Sequence, residues 1–400
     1  MKMKNLLEEA EQIFMHNVSR FPLVFARGEG SILYDTDGKQ YLDFLSGIAV
    51  QALGHSHPRL VRALAEQAKK IIHVSNYFYL EEQILLAKKL VDLSGLNRVF
   101  FSNSGAEANE AAIKLARKYG RTKLGGKYEI ISAECSFHGR TMGALAATGQ
   151  TKYQEAFQPL PEGFKYARFN DFSSWEKAIT PQTCAFFLEL VQGEGGVNPA
   201  TPEFLQGLAA LSQKYGILLI FDEVQTGLGR TGKYFAWQHW GVKPQIMTIA
   251  KALGAGVPIG AVLAEEEVAA AFTPGDHSTT VGGGGIAYGV ALEVLKIMEE
   301  ENLPEKAGKL GEKILRTLRD WQTELPVIKE VRGWGLLIAL ELTVGSKPIV
   351  ERCLDEGLIV NAVTPTAIRL APPLNISGED LRRGLEILYR VLKANPGRAV

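Results

Sequence analysis

The sequence predicts an α/β protein with a mostly parallel sheet and a smaller α+β unit toward its carboxyl end. In the middle of the 400-residue chain, short and continuously apolar runs alternate with longer helical patterns. Strands of this kind are typical of a parallel sheet that helices cover on both faces. Polar residues follow several of these runs, and such sheets bind ligands beyond the carboxyl ends of their strands.

The N-terminal elements are expected to lie outside that sheet. Residues 1–14 mix acidic and apolar side chains at helical spacing, which predicts a surface helix rather than a targeting peptide. Residues 30–45 predict a hairpin around Asp37-Gly38, because this dipeptide favours a tight turn. We expect the hairpin to join the C-terminal unit.

The remaining elements follow in order along the chain. In the middle, the pattern predicts strands at 98–102, 129–132, 184–189, 217–222 and 245–250, with helices at 106–119 and 202–215. In the tail it predicts helices at 310–323 and 378–393, with strands at 335–342, 357–361 and 367–370. The expected domains are a large one over 61–295 and a small one over 296–400, to which residues 1–60 contribute.

Composition narrows the class of function. Lys and Arg number 44 and Asp and Glu number 44, so the formal net charge is zero and no basic surface for nucleic acid or anionic lipid is expected. The apolar runs are too short to span a bilayer. Three cysteines, far apart, fit neither a disulfide framework nor a zinc site, which indicates a reducing, cytoplasmic environment.

Small residues at 102–107 connect a predicted strand to a predicted helix. A helix N-terminus offers free backbone N–H groups and the positive end of the helix dipole, so this turn can bind a phosphate. Taken alone, the segment is better explained as a plain helix cap by Ser104.

Two charged residues end neighbouring apolar strands. Asp222 follows 217–221 and can meet a cation in the crevice, although a turn or a helix cap explains an isolated Asp equally well. Lys251 follows 245–250 among apolar and small residues. Desolvation lowers the pKa of such a lysine, and the neutral amine can form a Schiff base with an aldehyde; the alternative is a lysine whose amine reaches the surface.

Phe137 and Arg140, after the strand at 129–132, place an aromatic face and a guanidinium near the same crevice, although a core Phe and a surface Arg is the simpler explanation of this segment alone. Together, the four features match the needs of pyridoxal phosphate: a phosphate site, a lysine, a carboxylate for the pyridine nitrogen and a stacking face. His55 and His57 form a pair without a third ligand and are expected to be structural, so no metal site is predicted. His138 can line the pocket edge or simply pack in the core.

Longer motifs carry a resemblance to a known family. The chain resembles the class III, or ω-aminotransferase, family of pyridoxal-phosphate enzymes from about residue 21 to 373, through FSNSGAEANEAAIKLARKY, SFHGRTMGALAATG, ELVQGEGG, IFDEVQTGLGRTG and IAKALGAGVPIGA. The resemblance implies fold type I, with a seven-stranded sheet in a large domain and a small domain built from both termini. It also implies a homodimer with shared active sites.

The resemblance also implies cofactor roles for matching residues. Lys251 would bind the cofactor covalently, and Asp222 would keep its pyridine nitrogen protonated. The other expected cofactor contacts are Val224 and Phe137 on the two ring faces, Gln225 at the ring oxygen, and Gly105, Ala106 and the neighbouring subunit's Thr280 at the phosphate.

The expected substrate contacts are arginines and a carboxylate. Arg140 would bind the carboxylate at the acylated end of the amino donor, and Arg369 the α-carboxylate of 2-oxoglutarate or glutamate. Glu194 would pair with Arg369 while the ω-amino donor binds and release it for the α-amino substrate. Thr279 stands at a further substrate-binding position.

The expected substrates are N2-acetyl-L-ornithine and 2-oxoglutarate, since DFLSGIAVQALGHSHP and VSNYFY are typical of family members that use them. Ile48 stands where members acting on free ornithine have a tyrosine, which favours an acylated donor. The segment 277–285 departs from the family pattern by lacking its Asn and Pro. The alternatives are succinyl-diaminopimelate, ornithine or 4-aminobutyrate as donor, an amine shift within one substrate, or an inert scaffold; the two arginines argue against the shift, and Asp222 and Lys251 against the scaffold.

Overall fold

The computed structural model describes residues 3–395 and contains a central sheet with helices on both faces. The α-helices are α1 Met3–Ile13, α2 Ser46–Ala49, α3 Pro58–Lys70, α4 Glu81–Ser94, α5 Gly105–Lys123, α6 Met142–Ala147, α7 Thr151–Gln154, α8 Phe172–Ala178, α9 Pro202–Tyr215, α10 Glu266–Ala269, α11 Gly284–Glu300, α12 Leu303–Glu324, α13 Ser346–Asp355 and α14 Gly378–Lys393. Short 3-10 helices cover Glu155–Phe157, Ala236–His239 and Lys251–Leu253.

The strands are short, as expected from the lengths of the apolar runs. They are β1 Phe25–Glu29, β2 Ile32–Asp35, β3 Gln40–Asp43, β4 Arg98–Ser102, β5 Glu129–Ala133, β6 Phe164–Ala167, β7 Thr183–Glu189, β8 Val191–Gln192, β9 Asn198–Pro199, β10 Leu218–Asp222, β11 Ile246–Ile249, β12 Gly260–Ala264, β13 Ile328–Trp334, β14 Leu337–Leu342, β15 Leu358–Ile359, β16 Asn361–Ala362 and β17 Ala367–Leu370.

The central sheet has seven strands in the order β4-β12-β11-β10-β7-β5-β6. All of them are parallel except β12, which runs antiparallel to both of its neighbours. Every residue of β7 and β10 is buried, as continuously apolar strands covered on both faces require. The prediction of a mostly parallel seven-stranded sheet is confirmed.

Two four-stranded sheets lie outside the central one. The first has the order β1-β2-β3-β15, so the N-terminal hairpin pairs with a tail strand as predicted. The second, which we call the C-terminal sheet, has the order β13-β14-β17-β16. A two-stranded ribbon joins β8 and β9.

Two tail strands predicted as single units are divided. The predicted strand at 335–342 begins only at β14, because Gly335 turns the chain with φ +54°. A Cβ at this glycine would lie 2.5 Å from the carbonyl carbon of Thr231, so only glycine fits there. The predicted strand at 357–361 is split into β15 and β16, which belong to different sheets.

Several elements were not predicted from the sequence, namely β1, β6, β12 and β13. The division into domains stays a prediction. Its boundary at 295/296 lies within α11, and residues 1–2 and 396–400 of the predicted domains lie outside the described residues. Across residues 3–395, no helix has the length and apolarity that crossing a membrane requires.

Candidate active site

A cavity of about 410 Å³ opens where β4, β5, β10 and β11 end. This is the edge of a parallel sheet at which ligands usually bind. The cavity is lined by eight of the residues singled out from the sequence: Gly105, Ala106, Phe137, Arg140, Asp222, Val224, Gln225 and Lys251.

Asp222, the last residue of β10, forms the floor of this cavity and is almost fully buried. Its Oδ2 accepts hydrogen bonds from Asn109 Nδ2 and from the ring of His138, both at 2.8 Å. Its Oδ1 accepts the backbone N–H of Val224 at 3.0 Å. These donors fix the carboxylate in one orientation beneath the cavity.

Lys251 begins the 3-10 turn that follows β11 and has φ +45°. This conformation is uncommon for a residue with a side chain, and such strain is often found at functional sites. Burial lowers the pKa of the Lys251 amine to about 8, an effect that the negative charge of Glu194 partly offsets. The amine is therefore neutral in a large fraction of molecules near physiological pH, as a nucleophile must be.

The N-terminus of α5 forms one wall. Ser104 caps this helix by accepting the backbone N–H of Glu107 at 3.2 Å. Gly105 and Ala106 follow the cap, so their N–H groups belong to the first turn, where helices lack internal acceptors. A Cβ at Gly105 would lie 2.7 Å from Val224 Cγ1, so only glycine lets this helix approach the residue beside Asp222.

Aromatic side chains form the opposite wall. Phe137 meets Tyr153 edge to face, with ring centroids 6.1 Å apart. The guanidinium of Arg140 stacks over Tyr153 at 4.0 Å and lies 5.5 Å from the Phe137 ring. Arg140 is exposed and makes no ion pair with another described residue, so its charge can receive a carboxylate.

Arg369 is fully buried at the edge of the cavity. Its Nη1 donates to Glu194 Oε1 at 2.5 Å and to Gln225 Oε1 at 3.0 Å. Its Nε donates to Asn361 Oδ1 at 3.1 Å, while Nη2 has no acceptor among residues 3–395. Burial would raise the pKa of Glu194, but the charge and hydrogen bond of Arg369 outweigh it and lower that pKa.

Three sequence-predicted residues do not line the cavity in this chain. Thr280 is exposed, and Thr279 Oγ1 accepts Asn103 Nδ2 at 3.2 Å. Ile48 is 39% exposed. His55, the predicted structural histidine, contacts Asp43 Oδ2 through Nε2 at 2.8 Å. Within 3–395 no cluster of three His, Cys, Asp or Glu side chains could hold a metal ion.

The structure adds residues that the sequence reasoning missed or left open. Asn109 and His138 fix Asp222, and the His138 ring also stacks on Phe187 at 3.9 Å. Glu189 lines the cavity and accepts the N–H groups of Phe137 and Gly193. Burial, helped by nearby Asp222, raises the pKa of Glu189 to about 8. One sequence feature could have identified Glu189, since it ends an apolar strand just as Asp222 does, and the two pair in register.

Comparison with known proteins identifies the class. A family model described as aminotransferase class-III matches residues 13–392, so the chain belongs to this family of pyridoxal-phosphate-dependent enzymes. It is 48% identical over 382 residues to the acetylornithine aminotransferase of Methanocaldococcus jannaschii, covering 95% of this chain and 96% of that protein. It is 46% identical to the acetylornithine aminotransferase of Caldanaerobacter subterraneus subsp. tengcongensis, covering 96% and 98%.

A solved structure agrees with the fold. The ornithine aminotransferase of Toxoplasma gondii, with pyridoxal phosphate at partial occupancy in its active site, superposes with a TM-score of 0.95. Its sequence is 32% identical, and the match covers 98% of this chain and 94% of that one. Fold type I and a pyridoxal-phosphate-dependent aminotransferase activity are therefore confirmed.

The residues present fit this cofactor. The cavity combines a buried carboxylate, an amine of lowered pKa and a helix N-terminus that glycine keeps open. The buried Nη2 of Arg369, without an acceptor among the described residues, matches a carboxylate-bearing substrate in the same place. A basic group, an acid and an anion site are what pyridoxal phosphate requires of a protein.

Proposed function

We propose that the enzyme transfers the δ-amino group of N2-acetyl-L-ornithine to 2-oxoglutarate, giving N-acetyl-L-glutamate 5-semialdehyde and L-glutamate, a step of arginine biosynthesis. The observation that carries the chemistry is the meeting of Asp222 and Lys251 in one cavity, at the ends of adjacent strands. The choice of donor rests on the acetylornithine aminotransferases that share 46–48% of its residues.

We propose that the cofactor lies between Phe137 and Val224, with Asp222 facing its pyridine nitrogen. Gly105 and Ala106 would donate backbone N–H groups to the phosphate, and Gln225 would contact the ring oxygen. When bound, pyridoxal phosphate withdraws electrons from the substrate carbon that carries the amine. Asp222 supports this withdrawal, because a fixed negative charge favours the protonated ring nitrogen.

Lys251 has two tasks in this proposal. Its Nζ holds the cofactor aldehyde until a substrate amine replaces it. The freed amine then takes a proton from the substrate carbon and delivers it to the cofactor side, as a general base and then a general acid. A pKa of about 8 suits both steps, because the group can gain and lose a proton near neutral pH.

Two arginines would bind the substrates' carboxylates. Arg140 would bind the carboxylate at the acetylated end of the donor, since it is exposed and free of ion pairs with other described residues. Arg369 would bind the α-carboxylate of 2-oxoglutarate after Glu194 releases it. The 2.5 Å contact between Arg369 and Glu194 supports a pairing that neutralises Arg369 while the ω-amine reacts.

We propose that the enzyme is a cytoplasmic homodimer with shared active sites. A large apolar surface supports the homodimer, since Tyr77 is 93%, Phe78 68% and Tyr79 86% exposed in the single chain. Thr280 is exposed on the segment before α11, where it could reach the phosphate in a partner's cavity. The cytoplasmic location rests on three free cysteines spread along the chain.

The test compares amino donors in the first half-reaction. Stopped-flow absorbance of the cofactor-loaded enzyme is recorded with N2-acetyl-L-ornithine, free ornithine, succinyl-diaminopimelate and 4-aminobutyrate. We expect kcat/KM to be highest for N2-acetyl-L-ornithine. Faster conversion with free ornithine or 4-aminobutyrate would contradict the proposed donor, and absence of conversion with every amine would contradict the aminotransferase chemistry itself.

A further inference from the structure

One row of the C-terminal sheet carries two arginines. Arg332 on β13 lies opposite Ala339 on β14, and Ala339 lies opposite Arg369 on β17. Residues directly opposite each other on neighbouring strands project from the same face of a sheet. Arg332 and Arg369 therefore stand on one face, separated by the small side chain of Ala339.

Both arginines contact the same loop, residues 193–197, which carries Glu194. Arg369 Nη1 donates to the Glu194 carboxylate at 2.5 Å, and Arg332 Nε donates to the carbonyl of Gly196 at 2.9 Å. Gly196 has φ +114°, and a Cβ there would lie 3.2 Å from Arg332 Nη2. The glycine thus lets the guanidinium approach the loop backbone closely.

The same loop also packs on this face of the sheet. Val197 is fully buried against Leu337 and Ala339 of β14. It has φ +57°, an unusual conformation for a β-branched residue, so surrounding contacts must hold it there. The apolar contact and the Arg332 hydrogen bond fix the loop backbone immediately after Glu194.

Arg332 is itself held firmly. Its Nη2 donates to Glu341 Oε2 at 2.7 Å and its Nη1 to Glu330 Oε2 at 3.0 Å, with 13% of the side chain exposed. Burial would raise the pKa of Glu341, but hydrogen bonds from Thr366 and Arg332 outweigh it and lower that pKa. The carboxylate is ionised, and Arg332 is oriented with Nε toward Gly196.

We infer that Arg332 is a positioning residue that fixes the loop backbone so that the Glu194 side chain can compete with a substrate carboxylate for Arg369. This inference rests on the proposed function, because it concerns the same exchange at Arg369. The hydrogen bond to Gly196 coexists with the Glu194–Arg369 pair, so it favours the paired state. Removing it weakens Glu194 as a competitor and leaves Arg369 more available.

The predicted consequence has opposite signs in the two half-reactions. An Arg332→Met variant should bind a dicarboxylate at Arg369 more tightly, while the ω-amine half-reaction slows because Arg369 is less often neutralised. Hydrogen bonds from charged groups are worth about 1.5–3 kcal/mol, of which only part passes to Glu194, so we expect changes of roughly three- to tenfold. A merely structural defect would instead weaken binding and slow both half-reactions.

The experiment measures glutarate binding to the cofactor-loaded enzyme by calorimetry, since glutarate carries two carboxylates but no group that can react. Arg332→Met should lower the Kd for glutarate about three- to tenfold. Arg332→Lys keeps the charge beside Glu341 and should fall between wild type and Arg332→Met. The matched control, Glu330→Gln, removes an exposed partner of Arg332 without touching Gly196 and should leave the Kd unchanged.

A double-mutant cycle with Glu194→Gln separates the possible outcomes. Glu194→Gln should itself tighten glutarate binding, and adding Arg332→Met should then have no further effect. An unchanged or higher Kd in Arg332→Met, with Glu194→Gln behaving as expected, would overturn the role of Arg332 alone. A wild-type enzyme that binds no glutarate, or a Glu194→Gln variant that binds it no more tightly, would overturn the proposed exchange at Arg369 and this inference with it.

Discussion

The floor of the cavity and its arginine rim are built in opposite ways. Asp222 and Lys251 end adjacent strands, and Asp222 is fixed by donors at both of its oxygens. The rim arginines come from distant segments: Arg140 is exposed and rests on an aromatic ring, whereas Arg369 is buried and paired with Glu194. The floor therefore suits one fixed chemistry, while the rim can adapt to substrates of different charge.

The largest effect is expected at Lys251 on the floor. Lys251→Ala removes both the covalent attachment and the group that moves the proton, so kcat should fall by at least about a thousandfold. Cofactor binding, measured by fluorescence, should be retained because the other contacts remain. Lys296→Ala, at an exposed lysine on α11, serves as control and should turn over normally; retained multiple turnover in Lys251→Ala would contradict the assigned role.

The next effect is expected at Asp222. Asp222→Asn keeps the shape but removes the negative charge opposite the ring nitrogen, so kcat should fall about a hundredfold, as for loss of a preorganised electrostatic contact. Glu223→Gln is the matched control, because its carboxylate contacts Trp237 N and Thr226 and does not line the cavity. A loss below about tenfold in Asp222→Asn would show that the floor charge is not required.

A smaller effect concerns pH. Burial lowers the pKa of Lys251 from 10.5 to about 8, so its reactive neutral form accumulates as the pH rises toward 8. The rate at which cofactor-free enzyme captures pyridoxal phosphate should rise about tenfold per pH unit below 8 and level off above it. Stopped-flow absorbance measures this rate. A rate that continues to rise toward pH 10 would indicate a lysine with an ordinary pKa.

The smallest effect is expected at the rim. Tyr153→Leu removes the ring under Arg140, so the KM for N2-acetyl-L-ornithine should rise about two- to fivefold while kcat changes little, as for an exposed cation–π contact. Tyr153→Phe keeps the ring and is the matched control. An equal KM in the leucine and phenylalanine variants would show that stacking does not orient Arg140.

The difference between floor and rim also explains what the sequence could predict. β10 and β11 are continuously apolar and end in a charged residue, so Asp222 and Lys251 were visible as a pattern along the chain. β12 was missed because the five residues GAVLA are short and small, and its antiparallel direction depends on its neighbours in the sheet. Tertiary pairing decides such strands more than local preference does.

Contacts between distant segments could not be predicted from the residues alone. Asn109 lies in a helix among alanines, and only the packing of α5 beside β10 brings its amide to Asp222. Arg332 and Gly196 are distant in sequence and meet because the C-terminal sheet lies against the loop. The roles of Arg369 and Glu194 came from family resemblance, and their pairing is a fact of the three-dimensional arrangement.

The most direct measurement identifies the amine that binds the cofactor. The enzyme is incubated with pyridoxal phosphate, reduced with borohydride and digested, and the modified peptide is located by mass spectrometry. The account predicts a single stoichiometric label on Lys251, reduced when N2-acetyl-L-ornithine is added before borohydride. An unlabelled Lys251, or a label distributed over exposed lysines such as Lys296, would contradict it.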